Sequence, residues 1–209
     1  MKLYSYWRST TSYRVRIALN LKGIVYDTVP VDLVAGAQKA PDYTALNPVA
    51  GVPTLVLDDG TTLTQSMAIL EWLETVHPEP ALLPRDPQKA ANVRAAALIM
   101  ATDVHPVNNL KVVQTLKGMG HSQDDVLAWM HDWMERGMSA YQQLLPDGTE
   151  FSFGDTPTLA DICLVAQLYN AHRWGVDLSP FARLVDIETR CLALPAFDAA
   201  RPENQPDAA

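Results

Sequence analysis

Cysteine is scarce, with only Cys163 and Cys191 in 209 residues. They lack the spacing of metal ligands and both sit in apolar runs, so neither a disulfide framework nor a thiolate metal centre is expected, and a reduced cytoplasm is the simplest setting. Positive charge is also short: 16 Lys and Arg stand against 24 Asp and Glu, a net charge of −8. Nucleic acid and anionic membrane surfaces want basic patches, so neither is an expected partner. An anionic substrate would have to be held by local arginines against an unhelpful overall field. No apolar run approaches the ~20 residues of a membrane span. The opening MKLYSYW also lacks the long apolar stretch of a signal peptide, so a cytoplasmic protein is expected. The five histidines are scattered, and only the sparse neighbourhood of Asp103 and His105 brings one near a second ligand, so no metal site is expected. A Ser-His-Asp hydrolase is excluded by the lack of a G-x-S-x-G elbow. There are no internal repeats.

What is present is a core-forming composition, 48% hydrophobic, with two different textures. Up to about Pro80, strand and helix signals alternate. KLYSYW reads as a strand. SYRVRIALNLKG reads as a helix through Val15, Ala18, Leu19 and Leu21, with Gly23 as the residue after its end. VYDTVPVDL alternates as a strand, and a weak helix is expected within residues 40–46. VPTLVLDDGTTLTQS is a hairpin turning at Asp59-Gly60, and SMAILEWLETVH is a helix capped by Ser66. The order is β-α-β-α-β-β-α. HPEPALLPRDP then places Pro78, Pro80, Pro84 and Pro87 in a short stretch that no helix or strand tolerates, which marks a joint. Beyond it the pattern is helical. A long Ala-rich helix should kink or break at Pro106. The next carries Val126, Trp129, Met130, Trp133 and Met134 at helical spacing, best read as packing. TLADICLVAQLYNAHRWG is almost wholly apolar and should be the buried centre, opening on a Thr158–Asp161 capping box. FARLVDIETRCLAL is a further helix, and ARPENQPDAA a polar tail.

One polar stretch stands out. SYWRSTTSYRVRIALN puts Arg8 and a run of hydroxyls, Ser9, Thr10, Thr11 and Ser12, where a strand gives way to a helix. Ser and Thr are favoured N-caps, so capping explains the run without any function. The same helix end also offers N–H groups and a positive dipole to an anion.

RSTTSYRVRIAL, ALNPVAGVPTL, LTQSMAILEWLE and TPTLADICLVAQLYNAHRW together resemble the zeta class of glutathione transferases, which contains maleylacetoacetate and bacterial maleylpyruvate isomerases. The resemblance spans essentially the whole chain. It implies a thioredoxin-like N-terminal domain (residues 1–80), a linker (81–86) and an all-α domain (87–209) completing the substrate site, in a cytoplasmic homodimer. It implies glutathione as cofactor and a cis–trans isomerisation of maleylpyruvate to fumarylpyruvate, part of aromatic-compound catabolism, by thiolate addition, bond rotation and elimination. The class pattern departs at one place: its usual Ser-Ser-Cys triplet ends here in Thr11, so the thiol must be the cofactor's. A hydroxyl donor beside a helix N-terminus would lower that thiol's pKa from about 8.5, and either Ser9 or Thr11 could donate it.

The resemblance further implies glutathione contacts at Ser9, Thr10, Thr11, Gln38, the Val52-Pro53 cis turn, Gln65 and Ser66, with Asp103 reaching across a dimer interface. It places Arg8 and Arg173 against the carboxylates of a dianionic substrate, where a guanidinium fork fits. His105, Asn108 and Asn109, polar in an otherwise apolar run, would line the same pocket; a satisfied polar patch at a helix kink explains them equally. Three alternatives stay open: maleylacetoacetate as substrate, a general glutathione transferase or peroxidase acting on apolar electrophiles, and a non-catalytic binding module of the same fold.

Overall fold

The computed structural model describes residues 1–208. Four short strands form one sheet in the order β2-β1-β3-β4. β1 (Lys2–Ser5) runs parallel to β2 (Asp27–Pro30) and antiparallel to β3 (Thr54–Val56), and β4 (Thr62–Thr64) pairs with β3. The β3–β4 hairpin turns at Gly60, whose φ of +86° only glycine adopts at no cost. The parallel β1–β2 pair needs a crossover, which is α1 (Thr10–Leu21). Its end is closed by Gly23 at φ +66° and by the Ile24 N–H donating to the Leu19 carbonyl. A short α2 (Pro41–Leu46) and α3 (Ser66–Val76) complete the expected β-α-β-α-β-β-α order.

α1 is buried nearly all round. Val15, Ile17, Ala18 and Leu19 are fully covered, and so are Arg14 and Arg16. A buried guanidinium is costly unless its donors are taken up. For Arg16 the partners are carbonyls and a hydroxyl: Nε donates to Ala200 O (3.0 Å), Nη1 to Ser5 Oγ (3.0 Å) and Nη2 to Trp7 O (3.0 Å). The Pro-rich joint is fixed in a similar way. Lys22, its side chain fully covered, donates to Glu74 Oε2 (2.8 Å), His77 O (2.6 Å) and Pro80 O (3.0 Å).

The chain divides into two compact units at Leu82/Leu83, within the expected linker. The tail, however, was expected to continue the helical domain of residues 87–209, and it does not. From Leu192 onward the chain returns to the first unit, where α9 (Pro195–Ala200) packs on α1 with Phe197 and Ala200 fully buried.

The second unit is helical. α4 (Pro87–Leu98) starts on an Asp86 cap with Pro87 in its first turn. The break expected at Pro106 takes a specific form. The helix widens into a π-turn over Ile99–Val104, with His105 N donating to Met100 O at 3.1 Å, and then tightens into a 3₁₀ turn over Pro106–Asn108. Pro106 has no N–H to continue the ladder, and the wider turn absorbs the mismatch. α5 (Leu110–Gly118) and α6 (Gln123–Leu144) follow. α7 (Leu159–Trp174) is the buried centre, with eleven buried residues in sixteen, and it starts on the expected Thr158–Asp161 capping box. α8 (Ala182–Leu192) closes the unit. The Met residues of α6 are core as expected, but Trp129 is partly exposed.

Candidate active site

In the first unit, the sequence folds its hydroxyl run onto the start of α1. Ser9 is the N-cap: its Oγ accepts from Ser12 N at 3.2 Å. Thr11 Oγ1 donates to the Val52 carbonyl at 2.7 Å, and Ser9 Oγ and Thr11 Oγ1 are 2.9 Å apart. These three bonds fix the proton order. A threonine has one hydroxyl hydrogen, and Thr11 gives it to Val52 O. Thr11 therefore accepts from Ser9, and the Ser9 hydrogen is the one that can turn toward an incoming anion. Thr10 lies 3% exposed, so it offers a ligand its backbone at the helix end rather than a hydroxyl.

The Val52-Pro53 bond is cis, as expected. Two residues that the sequence reading passed over hold this turn. Asn47 Nδ2 donates to Gly51 O (2.8 Å) and Thr54 Oγ1 (3.0 Å), and the Tyr43 hydroxyl donates to Gly51 O (2.5 Å). Burial pushes the Tyr43 phenol above its ordinary pKa, keeping it a donor. Only a polar pair around ALNPVAGVP hinted at this.

The start of α3 differs from expectation. Ser66 is not its N-cap; Gln65 is, at φ +67°, and no side chain caps the helix. A non-glycine residue in that region is strained. Ser66 instead lies inside the first turn, where its hydroxyl accepts from buried Arg14 Nη1 at 3.4 Å. An uncapped helix start backed by a guanidinium is suited to a carboxylate. Gln38, 9% exposed in the 3₁₀ turn Ala37–Lys39, leaves its Oε1 buried with no partner among the described residues, an acceptor awaiting a donor.

Arg8 lies over the Trp7 ring, 4.5 Å from its centroid, and donates to the Tyr6 hydroxyl at 3.1 Å. Among the described residues it meets no carboxylate, so its charge is not neutralised.

In the second unit, Asp103 to Asn109 follow one another along the π- and 3₁₀-turns. Asp103 is exposed and accepts from the Thr102 hydroxyl. His105 is half-buried. Asn108 is 8% exposed, and neither its side-chain oxygen nor its nitrogen has a partner among the described residues. Asn109 caps α5, its side-chain oxygen accepting from Lys111 N at 2.8 Å. Trp129 braces this segment by donating to Val107 O at 2.9 Å. Arg173 is on a different element, exposed in the last turn of α7, 4.7 Å over the Trp174 ring. That turn is anchored by His131 to Trp174 O (2.8 Å) and by His172 to Glu188 (2.7 Å). Neither Cys163 nor Cys191 is in a disulfide and both are buried. Burial pushes the Cys191 thiol far up in pKa, which makes it a poor nucleophile.

Residues 8–76 match the family described as Glutathione S-transferase, N-terminal domain. The chain is 46% identical to a maleylacetoacetate isomerase of Pseudomonas aeruginosa, over 99% of this chain and 98% of that one. The chain belongs to the zeta class of glutathione transferases. A solved zeta-class structure, holo maleyl pyruvate isomerase, superposes with a TM-score of 0.97 at 45% identity and full coverage of both chains. A maleylacetoacetate isomerase from Anaeromyxobacter dehalogenans, solved with dicarboxyethyl glutathione and citrate in its active site, gives 0.89 at 44% identity, over 100% of this chain and 97% of that one. Within the zeta class, the departure at Thr11 now has a structural use. Its hydroxyl ties the start of α1 to the cis-proline turn, a bond that a cysteine sulfur would make only weakly.

Proposed function

We propose that this chain catalyses the glutathione-dependent cis–trans isomerisation of a maleyl keto-dicarboxylate, maleylpyruvate to fumarylpyruvate, with maleylacetoacetate as the second reading of the same chemistry. The observation that carries it is the Ser9 hydroxyl at the positive end of α1, with its neighbour's proton already committed to Val52. Bound glutathione supplies a thiolate that adds to the cis double bond and leaves once the bond, now single, has rotated. The donors present fit that cofactor. Ser9 and the α1 end favour a sulfur anion, the uncapped α3 start favours a carboxylate, and Gln38 Oε1 offers an acceptor to an N–H.

The chain's own work is to bind, orient and neutralise. Ser9 donates to the sulfur and holds it ionised. Arg8, stacked and unpaired, takes a substrate carboxylate with a planar fork. On chemical grounds, as the class pattern has it, Arg173 is assigned a second carboxylate. Charge that develops on the substrate's carbonyl oxygen needs donors of this kind. The unneutralised arginine disfavours the alternative of a transferase for apolar electrophiles, which has no use for it. The same reading makes the protein a cytoplasmic homodimer in which Asp103 approaches the partner's glutathione. Light scattering reports the dimer directly.

The decisive measurement follows maleylpyruvate by absorbance with and without glutathione. Isomerisation that requires glutathione without consuming it is the expected result. Turnover that proceeds equally well without glutathione would refute the proposal. Comparing kcat/KM for maleylpyruvate and maleylacetoacetate decides between the two substrates.

A further inference from the structure

The loop that carries Arg8 is held by a residue from the far end of the chain. Trp7 N donates to Asp207 Oδ2 at 3.0 Å, a bond that spans 200 residues. The carbonyls of the same loop are held from α1. Arg16 Nη2 reaches Trp7 O at 3.0 Å, and Tyr6 O accepts from Ser9 N at 2.9 Å. Arg16 also grips the returning tail at Ala200 O, 3.0 Å away. The tail is itself braced. Gln205, 9% exposed, donates from Nε2 to Ala199 O (3.0 Å) and Arg201 O (2.8 Å), just ahead of Asp207.

We propose that Asp207 is a positioning residue for the substrate clamp: its carboxylate fixes the Trp7 backbone, and with it the indole on which the Arg8 guanidinium is stacked. The placement of charge suits that role. Arg8 Nε and Asp207 Oδ1 are both buried and both without a partner among the described residues, so Asp207 sets the loop without forming an ion pair with Arg8. The arginine keeps its charge for the substrate. A carboxylate accepting from a backbone N–H is a strong, charge-assisted bond. Losing it leaves a part-buried N–H unsatisfied and frees the Trp7 platform to move. The bond is made at Trp7 N, while Ser9 is held separately by the α1 cap and by Thr11, so glutathione binding is expected to change less than substrate binding. In sequence terms, the polar tail ARPENQPDAA thereby acquires a task in substrate binding.

This inference rests on the reading of Arg8 as a carboxylate clamp, so the experiment carries both. Asp207→Ala, Asp207→Asn, Arg8→Ala and the Arg8→Ala/Asp207→Ala pair are compared for KM and kcat. Malonate serves as a small dicarboxylate probe in titration calorimetry with glutathione present, and glutathione affinity is measured in the same way. Asp207→Ala is expected to raise substrate KM and the malonate Kd about five- to tenfold, with glutathione affinity within twofold. Asn keeps an acceptor for Trp7 N–H, so Asp207→Asn should restore most of the loss. In the double variant the tail substitution should add nothing to Arg8→Ala. If Arg8→Ala leaves malonate and substrate binding unchanged, the clamp reading itself fails. If Arg8→Ala weakens both but Asp207→Ala weakens neither, only the positioning role is overturned. Parallel loss of glutathione and malonate affinity in Asp207→Ala, or an Asn variant as poor as Ala, also overturns it.

Discussion

At the scale of single residues, the question is which hydroxyl would face the sulfur, and proton counting favours Ser9. Thr11 spends its hydrogen on Val52 O at 2.7 Å, so it is an acceptor toward Ser9 and has nothing left to donate. Ser9→Ala is therefore expected to lower kcat by roughly two orders of magnitude, the scale of losing one donor at a developing or stored negative charge. Thr11→Ala should cost about tenfold or less, because it loosens the turn without removing the donor. Steady-state kinetics at saturating glutathione checks both, and a near-dead Thr11→Ala with an active Ser9→Ala would reverse the assignment. Arg8 gives a different signature. Its substitution by Ala should raise substrate KM by about 10- to 100-fold, the worth of one or two charge-assisted hydrogen bonds, with glutathione KM unmoved. Arg8→Lys should recover only part of this, since an ammonium reproduces neither the fork nor the stacking on Trp7. An unchanged KM in Arg8→Ala removes it from the site. Arg8 and the hydroxyl run stood out in the sequence because polar residues at a strand-to-helix junction need an explanation. The order of their hydrogen bonds was not legible, because it depends on where Val52, 41 residues beyond Thr11, places its carbonyl.

At the scale of elements, the periodic patterns were readable and the irregular junctions were not. α7 and its Thr158–Asp161 box follow directly from an apolar run behind a capping signature. The π-turn of Ile99–Val104 does not, since a proline announces a break without specifying its geometry. The start of α3 misled for a related reason. SMAILEWLE reads as a helix with serine at its cap, yet Gln65, at φ +67°, takes that place against local preference. Buried Arg14 and Arg16 likewise break the amphipathic rule on which helix reading relies. One glycine at the π-turn offers a sharp test. A Cβ on Gly137 of α6 would fall 2.1 Å from Val104 Cγ2. Val104 is 1% exposed and β-branched, so it has little room to turn aside. Gly137→Ala gains up to about 1 kcal/mol of helix propensity, but overpacking costs about 1–3 kcal/mol. A net loss of stability is expected, read as a lower urea midpoint with an unchanged slope; a higher midpoint would show that the turn yields more easily than its packing suggests. The capping box offers a second test. Asp161 accepts from Ser152 N (2.8 Å), Thr158 N (2.7 Å) and Thr158 Oγ1 (2.9 Å), deep enough for burial to raise its pKa. Asp161→Ala orphans these donors and should destabilise the protein by roughly 3 kcal/mol, seen in the same denaturant titration.

At the scale of the whole molecule, the chain returns to where it began. A linear reading assigns everything after the proline-rich joint to one helical domain, because sequence texture changes once and stays helical. Texture reports local structure, and α9 is as helical as its predecessors. What it cannot report is which core a short helix joins, a matter decided by the complementarity of Phe197 and Ala200 to a face of α1. The consequence is that the first unit is not a contiguous piece of sequence. A chain ending at Cys191 should therefore lose stability in the glutathione-binding unit itself. Removing buried Phe197 alone forfeits about 2–3 kcal/mol of apolar burial. Arg16 would also lose its Ala200 partner while remaining in the core, at a cost of about 1–3 kcal/mol for the orphaned donor. Together these approach the total stability of many domains. The shortened chain is expected to bind glutathione weakly or not at all in calorimetry and to unfold at markedly lower denaturant. Glutathione affinity equal to that of the full chain would mean that α1 and its sheet stand without the returning helix. Within this picture, Asp207 and α9 make different contributions from one tail: α9 holds the unit together, whereas Asp207, a few residues later, only sets the Arg8 loop. A chain ending at Gln205 separates them, since it keeps Phe197, Ala200 and the Arg16 contact but removes Asp207. It should unfold near the full-length midpoint, bind glutathione normally, and bind malonate as poorly as Asp207→Ala.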